Sequence, residues 1–179
     1  MSEPNVVPPK VEPWMRGTLT DVPAVLRAVL HALEQAREDV EKWCTELIDD
    51  ELNLRMHGCG SVAFHVRHAA GSIDRLLTYA EGEQLSPEQL AALKTEMNIP
   101  ATRARLIAEF TIAVQRASKR IRGFDATQFE QPRTIGRRKL PTTLGGILVH
   151  VAEHTQRHIG AMIVTAKIAK AMRAERMSA

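Results

Sequence analysis

The chain has 179 residues, about one domain's worth and enough to bury a proper core. Hydrophobic residues make up 44% and charged residues 25%, which excludes global disorder and the fibrous classes. The formal charge is +3, and aromatics, at 4%, are too scarce to supply the stacking platforms of single-strand nucleic-acid binders. No apolar run approaches the roughly 20 residues that span a bilayer. The proline-punctuated start lacks the apolar segment of a signal peptide, so a cytoplasmic protein is the default expectation, with Cys44 and Cys59 as free thiols.

In chain order, residues 1–19 read as an extended arm in which Trp14 is the expected anchor against the body. From Thr20 or Asp21, with Pro23 in the first turn, Val25, Leu26, Val29, Leu30, Leu33, Ala36, Val40, Trp43 and Leu47 recur at steps of three and four. This predicts an amphipathic helix to about Asp50. The His-Gly-Cys-Gly stretch at 57–60 breaks the chain, and Ser61 is placed to cap a second helix to about Glu81. Ser86-Pro87-Glu88-Gln89 carries a capping serine, a first-turn proline and a glutamine at the third position, so a short helix is expected over about 87–96. A further helix opens near Pro100 and Thr102 and runs to Gly123. The connection 124–141 is long and polar, with a small ribbon possible at 133–140. Thr142 or Thr143 then caps a last helix to about Arg173. The pattern predicts an all-α four-helix bundle over 20–175 with one short extra helix.

Seven histidines are the unusual feature. On the last helix His150, His154 and His158 recur at steps of four, which keeps them on neighbouring turns. At about 100° per residue His158 falls inside the apolar stripe around Val151, His154 flanks it, and His150 lies nearer the rim. Imidazoles at such positions need partners, because an unpaired buried polar group costs about 1–3 kcal/mol. A shared metal ion would satisfy one nitrogen of each ring. The i, i+4 pair is the device of H-E-x-x-H zinc proteases, but Thr155-Gln156-Arg157 lacks the catalytic glutamate, so protease chemistry is not supported. His65 and His68 on the second helix offer a third nitrogen, and the helical wheel prefers His65. His31 and His57 have no partner at ligand spacing and read as structural or solvated. Cys59, flanked by two glycines, reads as a small turn residue rather than a reactive thiol.

The run Ser61-Val62-Ala63-Phe64-His65-Val66-Arg67-His68, continued by Gly71-Ser72-Ile73-Asp74-Arg75, resembles the second helix of the DinB-like (DinB/YfiT) superfamily. Leu144 to Ile163, with His154-Thr155-Gln156-Arg157-His158, resembles its last helix. The likeness covers roughly residues 20–170 and implies a bundle with a non-sequential packing order and one divalent metal, zinc or nickel, held by three histidines. In the family pattern the second-helix ligand comes seven residues after the opening serine, which selects His68 over His65 and joins it to His154 and His158. Ala161 departs from the glycine-glutamine that relatives often carry there. Members of known activity are thiol-dependent transferases and isomerases. The resemblance therefore implies a low-molecular-weight thiol and a small electrophilic or anionic substrate as partners.

Charge is segregated: residues 34–51 carry a net of −6 and residues 101–139 a net of +7. Solvated helix faces explain most of this. The sharper reading is that Arg133, Arg137, Arg138 and Lys139 clamp an anionic substrate over the metal. Asp74 and Glu153 are candidate carboxylate partners for the ligand imidazoles. No residue is assigned as a catalytic base. The competing reading is a non-catalytic metal-binding or structural bundle acting in assembly or stress response. DNA binding ranks lowest, since no base-reading motif accompanies the basic segment. A homodimer is compatible with the composition.

Overall fold

A computed structural model describes residues 11–56, 58–97 and 99–178. Its elements are α1 (Ala24–Thr45), α2 (Asp49–Asn53), α3 (Val62–Ala80), α4 (Pro87–Thr95), α5 (Arg103–Arg122), β1 (Pro132–Ile135), β2 (Leu140–Thr143) and α6 (Leu144–Ser178), with short 3₁₀ turns at Pro13–Met15 and Ala126–Gln128. The fold is all-helical apart from the β1–β2 hairpin, which pairs antiparallel from Pro132 with Thr143 to Ile135 with Leu140.

Caps set most of the helix starts. Ser61 Oγ accepts from Phe64 N at 3.1 Å and opens α3. Ser86 and Gln89 exchange both bonds of a capping box at α4. At α5 the expected cap, Thr102, makes no side-chain bond, and Asp49 Oδ1 of α2 instead accepts from Arg103 N at 2.8 Å. The first predicted helix is two pieces. It stops at Thr45 rather than Asp50, and Ile48 N donates to Glu51 Oε2 at 3.0 Å to start α2. The acidic run thus turns the chain where periodicity alone predicts continuation. The last helix runs five residues past its expected end at Arg173.

Each long helix contributes an apolar face, with Leu33, Ile73, Phe110 and Leu148 fully buried among them. In space, α1 lies against α5 and α6, and α3 lies against the same two helices. Around the bundle the order is therefore α1, α6, α3, α5, so that α1 and α3, consecutive long helices, sit on opposite corners. This is the non-sequential order that the resemblance implies. Its consequence for the site is direct: α3 and α6, which carry the paired histidines, share a seam.

The arm is described only from Val11, and its first ten residues lie outside the described chain. Trp14 is not the anchor expected of it, being largely exposed. Arg16 takes that role, reaching Glu34 at 3.0 Å and gripping Glu38 through both terminal nitrogens at 2.6 and 2.8 Å. Much of the acidic segment is likewise committed to structure: Lys170 pairs with Glu46, and Arg173 with Glu51 at 3.1 Å. Cys44 is buried and Cys59 exposed, both as free thiols, and burial pushes the Cys44 thiol up to about 12. Among the described residues no helix is long and apolar enough to cross a membrane.

Candidate metal centre

Three imidazoles meet at the α3–α6 seam. His68, His154 and His158 each present one ring nitrogen, and the three nitrogens lie within 4.8 Å of one another. All three rings are half-buried. His68 Nε2 and His154 Nε2 are 3.3 Å apart. Two nitrogens bound at about 2.0–2.1 Å around a tetrahedral ion would stand about 3.3–3.4 Å apart, so this donor pair fits a shared cation without rearrangement.

The ring of His68 is fixed from behind. Its Nδ1 donates to Glu96 Oε2 at 2.8 Å, and Glu96, the residue after α4, is buried. Because an ionised carboxylate only accepts, this bond places the proton on Nδ1 and leaves the Nε2 lone pair facing His154. The other Glu96 oxygen accepts from Arg75 Nη1 at 2.5 Å, and Arg75 Nη2 donates to Ser72 Oγ at 3.1 Å. Ser72 Oγ in turn lies 3.3 Å from His68 Nε2. Carboxylate, guanidinium and hydroxyl therefore close a ring of contacts around one imidazole, the support that ligand histidines usually have.

Gly71 makes this approach possible. A Cβ built there would stand 2.4 Å from Glu96 Oε1 and 2.6 Å from Arg75 Nη1. Gly60 does the same on the other side, since a Cβ would meet Phe64 Cδ1 at 2.4 Å. The Phe64 ring stacks on His68, with centroids 5.4 Å apart, and stands edge-on to His158. After Glu96 the chain is strapped down: Arg55 donates to the Met97 carbonyl, Arg67 to those of Ile99 and Pro100, and Asn53 exchanges two bonds with Ala101. A cavity of about 270 Å³ has Phe64 and Glu96 in its wall, but none of the three histidines.

Burial, followed by the neighbouring imidazoles, favours the neutral form of His65, His154 and His158. Desolvation lowers His154 and His65, and lowers His158 to about 4, with His68 the next cause for each. Neutral imidazole is the form that ligates a metal.

The other histidines divide clearly. His65, which the wheel prefers, is not part of the converging triplet, although its Nδ1 lies 3.1 Å from His158 Nδ1 and steadies that ring. His150 donates to Glu153 on the outer face of α6. His31 is buried against Thr18 Oγ1 at 3.1 Å, a structural role. His57 lies outside the described residues.

Two expectations about the surroundings change. Asp74 is not beside a ligand: it accepts from Gln89 at 2.6 Å and from Arg120 at 2.8 Å. Glu153 is occupied by His150 and Arg157. Glu96 supplies the carboxylate instead, and the sequence signal for it was Arg75, a cation on the buried side of α3 that needs an anion. Arg133 of the basic hairpin is also engaged elsewhere. Arg133 Nε donates to Ala80 O at 2.7 Å, at the far end of α3 and about 18 Å along the axis from His68.

The chain matches the family model described as the DinB superfamily over residues 32–162, a span that includes all three converging histidines. Among solved structures, a conserved protein from Enterococcus faecalis is similar, with a TM-score of 0.68 at 15% identity. The match covers 82% of this chain and 98% of that one, and at this identity it shows the shared fold. No curated protein matches the chain.

Proposed function

The chain belongs to the DinB superfamily, and from that premise we propose that it is a metal-dependent thiol transferase or isomerase whose single divalent ion, zinc or nickel, is held by His68, His154 and His158. The observation that carries this reading is the convergence of three half-buried nitrogens from two helices onto one point. An all-imidazole donor set suits zinc and nickel rather than magnesium or calcium. Three protein ligands leave a position for an exogenous group, the arrangement of catalytic rather than structural sites. When bound, the ion would favour the deprotonated form of a low-molecular-weight thiol.

The chain's own residues supply the rest. Glu96 holds His68 in the tautomer that presents Nε2. Arg75 pairs with Glu96, giving the buried carboxyl group a cationic partner beside the cluster. Phe64 walls the rings of His68 and His158 and limits water on that side. No side chain is assigned as a base. We place this chemistry in the cytoplasm, where two unpaired thiols are the ordinary state.

Elemental analysis of purified protein, paired with thermal shifts on adding low-molecular-weight thiols, tests the reading. About one ion per chain and a thiol-dependent rise in melting temperature that needs the ion are expected. An ion held with no response to any thiol would favour the non-catalytic bundle.

A further inference from the structure

On the corner of the bundle away from the histidines, α1 and α5 enclose a groove of about 700 Å³, within the range of small-molecule sites. Its floor is apolar, with Leu30 of α1 and Val114 of α5 both buried. Ile112, nearly half exposed, continues that apolar surface at the rim. Leu19, which also lines the groove, has a φ of 58°, a left-handed conformation uncommon for a branched side chain.

Four of the described lining residues are cations, set among the neutral polar Thr111, Gln115 and Ser118. Arg116, Lys119 and Arg122 follow one another along α5 at steps of three, and no hydrogen bond or ion pair engages them among the described residues. A fourth cation, Arg37, is already offset by Glu41 at 3.5 Å. The groove's one acid, Glu34, is taken by Arg16 at 3.0 Å. The arm thus removes the negative charge that would otherwise balance the α5 cations. No aromatic side chain lines the groove, which argues against a nucleobase.

We propose that the α1–α5 groove is a second binding site, for a small amphiphilic organic anion that lays an aliphatic body on Leu30 and Val114 and sets its acidic head among Arg116, Lys119 and Arg122. The apolar floor and the uncompensated cations each select for one half of such a molecule. A neutral alcohol would lack the head, and a bare inorganic anion would lack the body.

Calorimetric titration of the full chain with octanoate, 1-octanol and inorganic phosphate tests this. Saturable binding of one octanoate is expected, with the other two at least about tenfold weaker. The Arg116→Glu/Lys119→Glu variant is expected to weaken octanoate about tenfold or more at unchanged helicity and metal content. Ile112→Asp, at an exposed position, is expected to weaken it without altering the cations. Octanoate binding is also expected to persist in His154→Ala/His158→Ala, which separates this site from a carboxylate seated on the histidine cluster. The proposal is overturned by an absence of saturable octanoate binding, by octanol or phosphate binding as tightly, by full affinity in the charge-reversed chain, or by loss of binding with the histidines.

Discussion

At the α3–α6 seam the polar groups are answered by the protein itself: His68 by Glu96, Glu96 by Arg75, Arg75 by Ser72, and His158 by His65. At the diagonally opposite α1–α5 seam, Arg116, Lys119 and Arg122 line a groove floored by buried leucine and valine, with no hydrogen-bond or ion-pair partner among the described residues. The same bundle therefore handles charge in two ways. Where a geometry must be held to a few tenths of an ångström, neighbours fix each side chain in advance. Where attraction between opposite charges is enough, long flexible cations are left to solvent and settle on what arrives.

Four variants bear on this contrast, and the largest effect belongs to the histidines themselves. His154→Ala/His158→Ala is expected to carry no ion where the parent carries about one per chain; metal retained by this variant in elemental analysis would falsify the centre. Next comes Glu96→Ala, which leaves the Arg75 guanidinium buried beside His68 without its anion. A loss of about 3 kcal/mol is expected in denaturant unfolding, with metal affinity down by about 10–100-fold. An effect no larger than that of an exposed ion pair would remove the distinction between the seams.

Gly71→Ala pits two effects against each other. Alanine gains about 1 kcal/mol of helix propensity, but its methyl would enter the 2.4–2.6 Å gap to two side chains locked in one ion pair. Overpacking costs about 1–3 kcal/mol, so a net loss is expected, together with weakened metal binding in a competition assay. The smallest change is Arg16→Ala. It breaks a partly exposed pair with Glu34 and Glu38, should cost about 1 kcal/mol or less, and should leave the metal-induced thermal shift as it was. A change in that shift would couple the two seams.

Much of the bundle was legible in the chain because its cause is local. Periodic leucines and valines mark the four long helices, Ser61 marks the start of one of them, and Ser86 marks the start of the short α4. The family pattern selected His68, which converges with His154 and His158, whereas the helical wheel preferred His65, which lies outside that triplet. A wheel locates the hydrophobic centre of one helix, whereas the cluster lies where α3 faces α6, toward the edge of that stripe. What stayed illegible depends on distant segments. Glu96 reaches His68 across 28 residues of sequence, after a helix with no buried face of its own. Asp49 caps a helix that begins 54 residues later. Arg133 looked close to the histidine helix because it precedes it in sequence, but ten residues of α6 put about 15 Å between the helix start and His154.

The non-sequential order of the helices also governs when the centre can exist. His68 and His154 are 86 residues apart, and the seam joining them is made by the last helix of the bundle. A growing chain presents the α3 histidines long before α6 emerges from synthesis, and during that interval it has no converging triplet with which to trap an ion. Closure of the bundle and completion of the converging triplet are one event, so capture of the proposed ion would report that folding has finished.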